Sequence, residues 1–255
     1  MGCCKGDVYL KNIIYMVNIV LDERSKTQGY DWSIKSWDNW AKKNNSELFV
    51  LDEPIYEVDF MKPQWHKLFA FDLLDNEGIE YDQILFVDSD TFAHPNTPNF
   101  FELSENKFCG VSAVGSMDWI IRSIENYSHH LFDGFTFPYY RYINSGFMIF
   151  NKDHKKLFKE ILDFYFNNQE KITWMQKNLG VGTDQPIINF FLNKNKIDYK
   201  LLPYEYNMQD LKRFELLGND LLFTKFGWVY HFNAGALPSP GAWLEATYKY
   251  FEGKL

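Results

Sequence analysis

Ile84-Leu85-Phe86-Val87-Asp88-Ser89-Asp90-Thr91-Phe92 decides how the rest of this chain is read. Apolar residues without alternation predict a strand buried on both faces, as in a parallel sheet covered by helices. Asp88 and Asp90 then stand where that strand leaves the sheet, at the carboxyl edge where open α/β folds bind ligands. Two carboxylates so close repel each other unless a cation or hydrogen-bond donors compensate. A solvated loop with incidental acids is the bland alternative. A D-x-D phosphotransferase of the haloacid-dehalogenase type is another, but it needs a small hydroxyl or β-branched residue where Phe92 stands. The third reading is a divalent cation held by Asp88 and Asp90 that bridges a diphosphate, since hard oxygen ligands suit Mg²⁺ or Mn²⁺.

The surrounding pattern supports an α/β order. Ile13 to Leu21 reads as a first strand. Ile34, Trp37 and Ala41 then mark an amphipathic helix, with Asp31 or Ser33 as its cap. "ELFVL" is a second strand, and Trp65, Leu68, Phe69 and Leu73 place a helix between Pro63 and Gly78. Strand-helix-strand-helix-strand predicts a nucleotide-binding half with parallel strands. Residues 115–141 show no clean period and read as a loop-rich insertion on the ligand side. "YINSGFMIFNK" reads as a strand and "HKKLFKEILDFYFNN" as a helix with Leu157, Ile161 and Phe164 inward. Thr183 caps a further helix with Pro186 in its first turn, "FGWVYHF" is a late strand, and the tail from Asn233 is a loop and a short helix.

At 255 residues the chain suits one large domain, with no repeat and no low-complexity linker. A formal charge of −8 argues against nucleic acid or an anionic membrane as partner. An anionic substrate therefore needs a local cation. Aromatic residues make up 19% of the chain, which either AT-rich coding or stacking on sugar rings would explain. Cys3, Cys4 and Cys109 have no metal-ligand spacing and read as reduced thiols, so a soluble protein, cytoplasmic or facing the cytosol, is expected. Met1-Gly2-Cys3-Cys4 suggests lipidation, but Gly6 stands where that pattern needs Ser or Thr. "IIYMVNIVL" is too short to span a bilayer, and no cleavage site follows it.

Further polar segments follow the carboxylate pair in order. Asn144, Ser145 and Gly146 offer donors, acceptors and close backbone approach. Asp184 and Gln185 open a helix, and His231 ends a strand with an imidazole free for a metal. Each alone is commonly structural: a lone His after a strand is usually a satisfied core residue, and Asn-Ser-Gly is usually a turn. Their order carries the weight.

That order resembles the GT-A fold glycosyltransferases, in particular the glycogenin-like family 8 and its retaining relatives, which share a DxD strand, an N-[SA]-G strand, a G-D-Q-type turn and a late H-F-x-G segment. Here these read Asp88-Ser89-Asp90, Asn144-Ser145-Gly146, Thr183-Asp184-Gln185 and His231-Phe232-Asn233-Ala234-Gly235, over roughly residues 13–235. The resemblance implies one Rossmann-like GT-A domain over 1–255 with a mostly parallel sheet. Its donor-binding half would be about 13–101, and its acceptor and metal half about 102–255. It implies a hexosyltransferase using a nucleoside-diphosphate sugar, UDP being the family default, and an acceptor hydroxyl on a glycan, a lipid-linked glycan or a protein. Asp88, Asp90 and His231 would ligate the cation, a mixed oxygen and nitrogen set that favours Mn²⁺, with Mg²⁺ also allowed. Lys67, Ser89, Asn144, Ser145, Gly146, Asp184 and Gly235 would join the carboxylates in the donor site. Asp184 and Gln185 would be the catalytic positions, with Gln185 under the anomeric carbon. Trp119, Tyr139 and Tyr140 are the candidate acceptor platforms, and Tyr30 a candidate stack for the base. The chain departs from the family after His231: "HFNAGALPSPGAW" lacks the Lys that holds the diphosphate in relatives, and Trp243 replaces some of the packing only. Competing readings are a sugar-nucleotide nucleotidyltransferase, which lacks support because "LDERSKTQGYDW" is no G-x-G-T-R-type loop, and a non-catalytic carbohydrate-binding or inactive relative.

Overall fold

The run that ends in Asp88 is strand β3 (Gln83–Asp88), and Ile84, Leu85, Phe86 and Val87 are all buried, as their composition requires. The structure, a computed structural model, describes residues 11–21, 29–209, 211, 220–233 and 239–253. Strands β1 (Asn12–Val17) and β2 (Ser46–Leu51) run parallel to β3 in the order β2-β1-β3. Helix α1 (Asp31–Lys43) connects the first pair. A 3₁₀ segment (Pro63–Phe69) leading into helix α2 (Ala70–Asn76) connects the second. The expected βαβαβ half is therefore present.

Three more strands complete the sheet. A short strand β4 (Thr91–Ala93) and helix α3 (Phe100–Leu103) precede β5 (Phe108–Ser112), and β6 (Ile143–Asn151) runs antiparallel between β3 and β5. Strand β7 (Tyr199–Leu202) adds parallel to β5 at the edge, giving β2-β1-β3-β6-β5-β7 with β6 alone reversed. Alternate side chains of β3 feed opposite layers. Ile84 and Phe86 pack with Trp65, Phe71, Phe150 and Phe158, while Leu85 and Val87 pack with Trp37, Trp40, Phe100 and Phe147. Strand β4 forms a second, two-stranded sheet with β8 (Val229–His231), backed by helix α7 (Pro240–Phe251) through Phe92, Tyr230, Leu244 and Phe251.

Several local expectations need correction. Residues 115–141 are loop only in their second part: helix α4 (Met117–Leu131) occupies the first, capped by the Ser116 side chain at Trp119 N. Its inward face is Ile120, Ser123, Ile124, Tyr127 and Ser128, a helical period hidden because two of its members are serines. Strand β1 stops at Val17; Asn18 N makes one last bond to Leu51 O, and Leu21 is already exposed. Neither Asp31 nor Ser33 caps α1, because Tyr30 occupies the cap position and both lie within the first turn. Helix α5 (Lys155–Leu179) runs a further three turns beyond Asn168, since the polar run 167–171 faces outward while Ile172 and Met175 continue the buried stripe. Phe164 is half buried on it. Helix α6 (Asp184–Lys194) begins as expected after Thr183, although the Thr183 hydroxyl bonds Asp184 rather than the helix backbone. No helix among the described residues is long and apolar enough to cross a membrane.

Candidate active site

The Asp88–Thr91 turn joins β3 to β4, and its shape is fixed from below. Thr91 Oγ1 donates to Asp88 O at 2.6 Å and accepts from the buried Trp37 indole at 2.9 Å. Pairing of β4 with β8 sets Thr91 opposite His231, and Phe232 N donates to Asp90 O at 2.9 Å. His231 Nε2 consequently lies 3.1 Å from Asp90 Oδ1 and 3.7 Å from Asp88 Oδ2. One ligand atom from each of Asp88, Asp90 and His231 fits within a 4.8 Å span, so this trio has the spacing and donor chemistry to hold a divalent cation. Ser89 is half buried between the two carboxylates.

Strand β6 passes directly beneath. A Cβ on Gly146 would stand 2.3 Å from Asp88 Oδ2 and 2.5 Å from His231 Cε1, so only glycine fits there. Helix α6 is clamped to the start of β6 by Asn189, which accepts from Ile143 N at 2.7 Å and donates to Ile143 O at 2.9 Å. That clamp brings Asp184 and Gln185 against Ser145. The Ser145 hydroxyl donates to Asp184 Oδ2 at 2.8 Å, and Ser145 N donates to Gln185 Oε1 at 3.0 Å.

Lys67 is buried in the same site. Its side chain is 2% exposed, and Nζ lies 2.9 Å from Asp184 Oδ2, 3.4 Å from Asp88 Oδ1 and 3.1 Å from Ser145 O. The ammonium is thus the counter-charge that joins the DxD turn to the Asp184 helix start. Among the described residues, sequence reasoning missed Asn207, which is fully buried; it donates to Asn144 Oδ1 at 3.0 Å and faces His231 Nδ1 with its own Oδ1 at 3.1 Å. An isolated Asn in "PYEYNMQ" carries no motif that could have signalled it.

The electrostatics split the two carboxylates. Loss of water, and then the neighbouring Asp90, push Asp88 up against the pull of Lys67. Burial also works against charge on Asp90, but attraction to His231 and their hydrogen bond outweigh it and hold Asp90 down. The same attraction overcomes burial and raises His231 above the usual imidazole range. Asp184 is held below the carboxylate range because Lys67, Thr183 and Ser145 together outweigh its burial. Tyr30, at the start of α1, is pushed up to about 12 by burial and by the charges of Asp90 and Asp88, which sets it beside the pair.

The Trp119 ring abuts Gly182, where an added Cβ would lie 2.6 Å from Cζ2, so Trp119 sits against the turn that leads to Asp184. Tyr139 and Tyr140 are exposed and lead into the start of β6. Trp243 is partly buried against the apolar cluster that backs the β4–β8 sheet. Gly235, Cys3 and Cys4 lie outside the described residues.

No protein-family model matches this chain, and no curated protein does. Solved structures do. A glycosyltransferase involved in the glycosylation of the major capsid of PBCV-1 superposes with a TM-score of 0.58 at 11% identity, over 93% of this chain and 98% of that one. The apo form of the glycosyltransferase GlyE of Streptococcus pneumoniae TIGR4 matches with a TM-score of 0.50 at 13% identity, over 96% of this chain; the match spans 64% of the GlyE chain. With its mostly parallel six-stranded sheet, the chain has a GT-A-like glycosyltransferase fold.

Proposed function

We propose that this protein is a cation-dependent glycosyltransferase that moves a hexosyl unit from a nucleoside-diphosphate sugar, UDP-linked by family default, to an acceptor hydroxyl. The observation that carries the reading is the Asp88–Asp90–His231 cluster at the carboxyl edge of β3, on a fold shared with glycosyltransferases. The donor set fits a divalent cation: two carboxylates whose acidities are driven apart, an imidazole beside them, and partial exposure of both acids. Mn²⁺ suits the mixed oxygen and nitrogen ligands best. When bound, such a cation supplies the positive charge that stabilises a departing diphosphate.

The chain's own groups do the rest. Asp88, Ser89 and Asp90 present the diphosphate side, and Gly146, lacking a side chain, leaves room for the Asp88 carboxylate and the His231 ring. Lys67 keeps Asp88 and Asp184 in register, so it acts on the donor through those carboxylates. Asn144 and Asp184 read sugar hydroxyls, and Gln185, anchored by Ser145 N, lies under the anomeric carbon. Asp184 is tied to Lys67, Ser145 and Thr183, which leaves it ill-suited as a nucleophile. With the retaining outcome that the motif resemblance implies, this favours same-face attack over a covalent glycosyl-enzyme, the leaving phosphate taking the acceptor's proton. Trp119, Tyr139 and Tyr140 form the acceptor side, and Tyr30 faces the nucleotide end. Residues 1–255 act as one domain, with 13–101 holding the donor and 102–255 adding the acceptor and His231. The acceptor is a glycan, free, lipid-linked or on a protein. Among retaining GT-A enzymes, the motif series resembles that of the glycogenin-like family 8.

The test is a thermal-shift and sugar-release panel of UDP-, GDP- and dTDP-sugars, each with Mn²⁺, Mg²⁺ or EDTA. One nucleotide should stabilise the protein in the presence of a cation and release its sugar slowly. Because the family's diphosphate-binding Lys is missing after His231, EDTA should abolish donor binding outright. Donor affinity unchanged by EDTA overturns the cation assignment.

A further inference from the structure

Buried amides around His231 leave its ring only one neutral arrangement. Gly146 N can only donate, and it donates to Asn144 Oδ1 at 2.9 Å. The oxygen of Asn144 is therefore the atom that faces Asn207. At 3.0 Å from that oxygen, Asn207 must present its NH₂ group, because two amide oxygens would repel. The Asn207 oxygen then points the other way, to His231 Nδ1 at 3.1 Å. An amide oxygen only accepts, so Nδ1 carries a hydrogen. In a neutral imidazole the lone pair then sits on Nε2, the nitrogen 3.1 Å from Asp90 Oδ1 and 3.7 Å from Asp88 Oδ2.

The backbone holds this chain of bonds in line. Asn207 N donates to Tyr204 O at 3.0 Å, Met208 N to Val229 O at 2.8 Å, and His231 N to Met208 O at 2.9 Å. Residues 207–208 thus lie alongside β8, and the amide of Asn207 has no water to turn toward. Asn144, Asn207 and His231 are all buried.

We propose that Asn207 is a positioning residue that dictates which nitrogen of His231 faces the carboxylate pair, making the imidazole a cation ligand through Nε2. The inference rests on the cation reading given above. Its origin is a backbone amide: the Gly146 N–H orients Asn144, Asn144 orients Asn207, and Asn207 orients His231. Groups that orient a metal-bound histidine in this way typically contribute about 10–100-fold in metal affinity.

The test uses the full chain with Mn²⁺ alone, free Mn²⁺ being read by electron paramagnetic resonance, so no donor or acceptor is needed. Asn207→Leu keeps the branching and the number of side-chain heavy atoms and removes the acceptor; it should weaken Mn²⁺ binding about 10–100-fold. Asn207→Asp keeps an oxygen toward Nδ1 and should bind Mn²⁺ within a few-fold of the wild type, at some cost in melting temperature. Circular dichroism checks that both variants fold. A Leu variant that binds Mn²⁺ like the wild type, or Leu and Asp variants weakened alike, overturns the role of Asn207 and leaves the cation reading standing. A wild type that binds no Mn²⁺ overturns the cation reading itself. If neither variant folds, ¹⁵N-histidine spectra of the metal-free wild type in alkaline buffer decide, with His231→Gln to assign the signal. A proton on Nδ1 supports the proposal, and a proton on Nε2 overturns it.

Discussion

The Lys67–Asp184–Ser145 cluster and the Asp88–Asp90–His231 cluster share one edge of the sheet, yet one is closed to water and the other is open. Lys67 and Asp184 are 2% and 5% exposed, and their charges meet at 2.9 Å. Asp88 and Asp90 remain 34% and 20% exposed, and the imidazole between them is closed off from behind by Asn207. The closed cluster satisfies itself: ammonium, carboxylate, hydroxyl and backbone carbonyl saturate one another. The open cluster gathers two acids and one base with room at the front. A structural ion pair is built in the first way, and a ligand site in the second.

Breaking the open cluster should cost function and little stability. Asp90→Asn removes a formal charge from the ligand set without changing its size. Sugar release from the best donor should fall by about two to three orders of magnitude, in line with losing preorganised charge at a departing group. In alkaline buffer, where the Asp90–His231 charge pair is lost, the melting temperature should stay close to that of the wild type. Near-normal turnover in this variant would end the assignment of the DxD turn to the cation.

Breaking the closed cluster should cost stability as well, because its charges are buried and paired. Lys67→Met leaves Asp184 buried without its cation, and removing one partner of a buried pair costs about 3–5 kcal/mol. Urea unfolding measures it. The double variant Lys67→Met, Asp184→Leu should regain much of that loss, because a well-packed apolar pair is often as stable as a buried ion pair. If the single variant unfolds at the wild-type urea midpoint, the two clusters are not separate in the way their exposure indicates.

The members of both clusters were legible in the sequence, but the closed packing of Lys67 on Asp184 was not. An uninterrupted apolar run announces β3, and acids placed right after it can lie only at the sheet edge. Asn144, Asp184 and His231 were legible as a series of short polar segments in a set order. Lys67 was ambiguous because a lysine in a helical pattern ordinarily faces water; the 3₁₀ geometry of Pro63–Phe69 turns His66 and Lys67 inward with Trp65 and Leu68. Asn207 was illegible because its role comes from pairing across β8 with a residue 24 positions away. The aromatic richness, open between coding bias and sugar stacking, serves packing in much of the core. Phe132 stacks on Phe190 at 4.1 Å, and Phe150 meets Phe158 at 4.4 Å.

The smallest expected effect is the most diagnostic, since the two clusters should respond to pH in opposite directions. Asp184 has its folded pKa depressed below the ordinary carboxylate value of 3.8. Its contribution to stability is present above that value and is lost as pH falls through the lower folded pKa. His231 has its folded pKa raised above 6.5, so its contribution is complete below that value and is lost as pH rises through the folded pKa. Urea midpoints of the metal-free protein across pH should show both ends. The gap between wild type and Asp184→Asn should narrow only on the acid side, and the gap between wild type and His231→Gln only on the neutral to alkaline side. Adding Mn²⁺ should stabilise the wild type most on that alkaline side, where His231 no longer holds a proton on the ligating nitrogen. A Mn²⁺ effect that is flat across pH would remove His231 from the ligand set while leaving the closed cluster untouched.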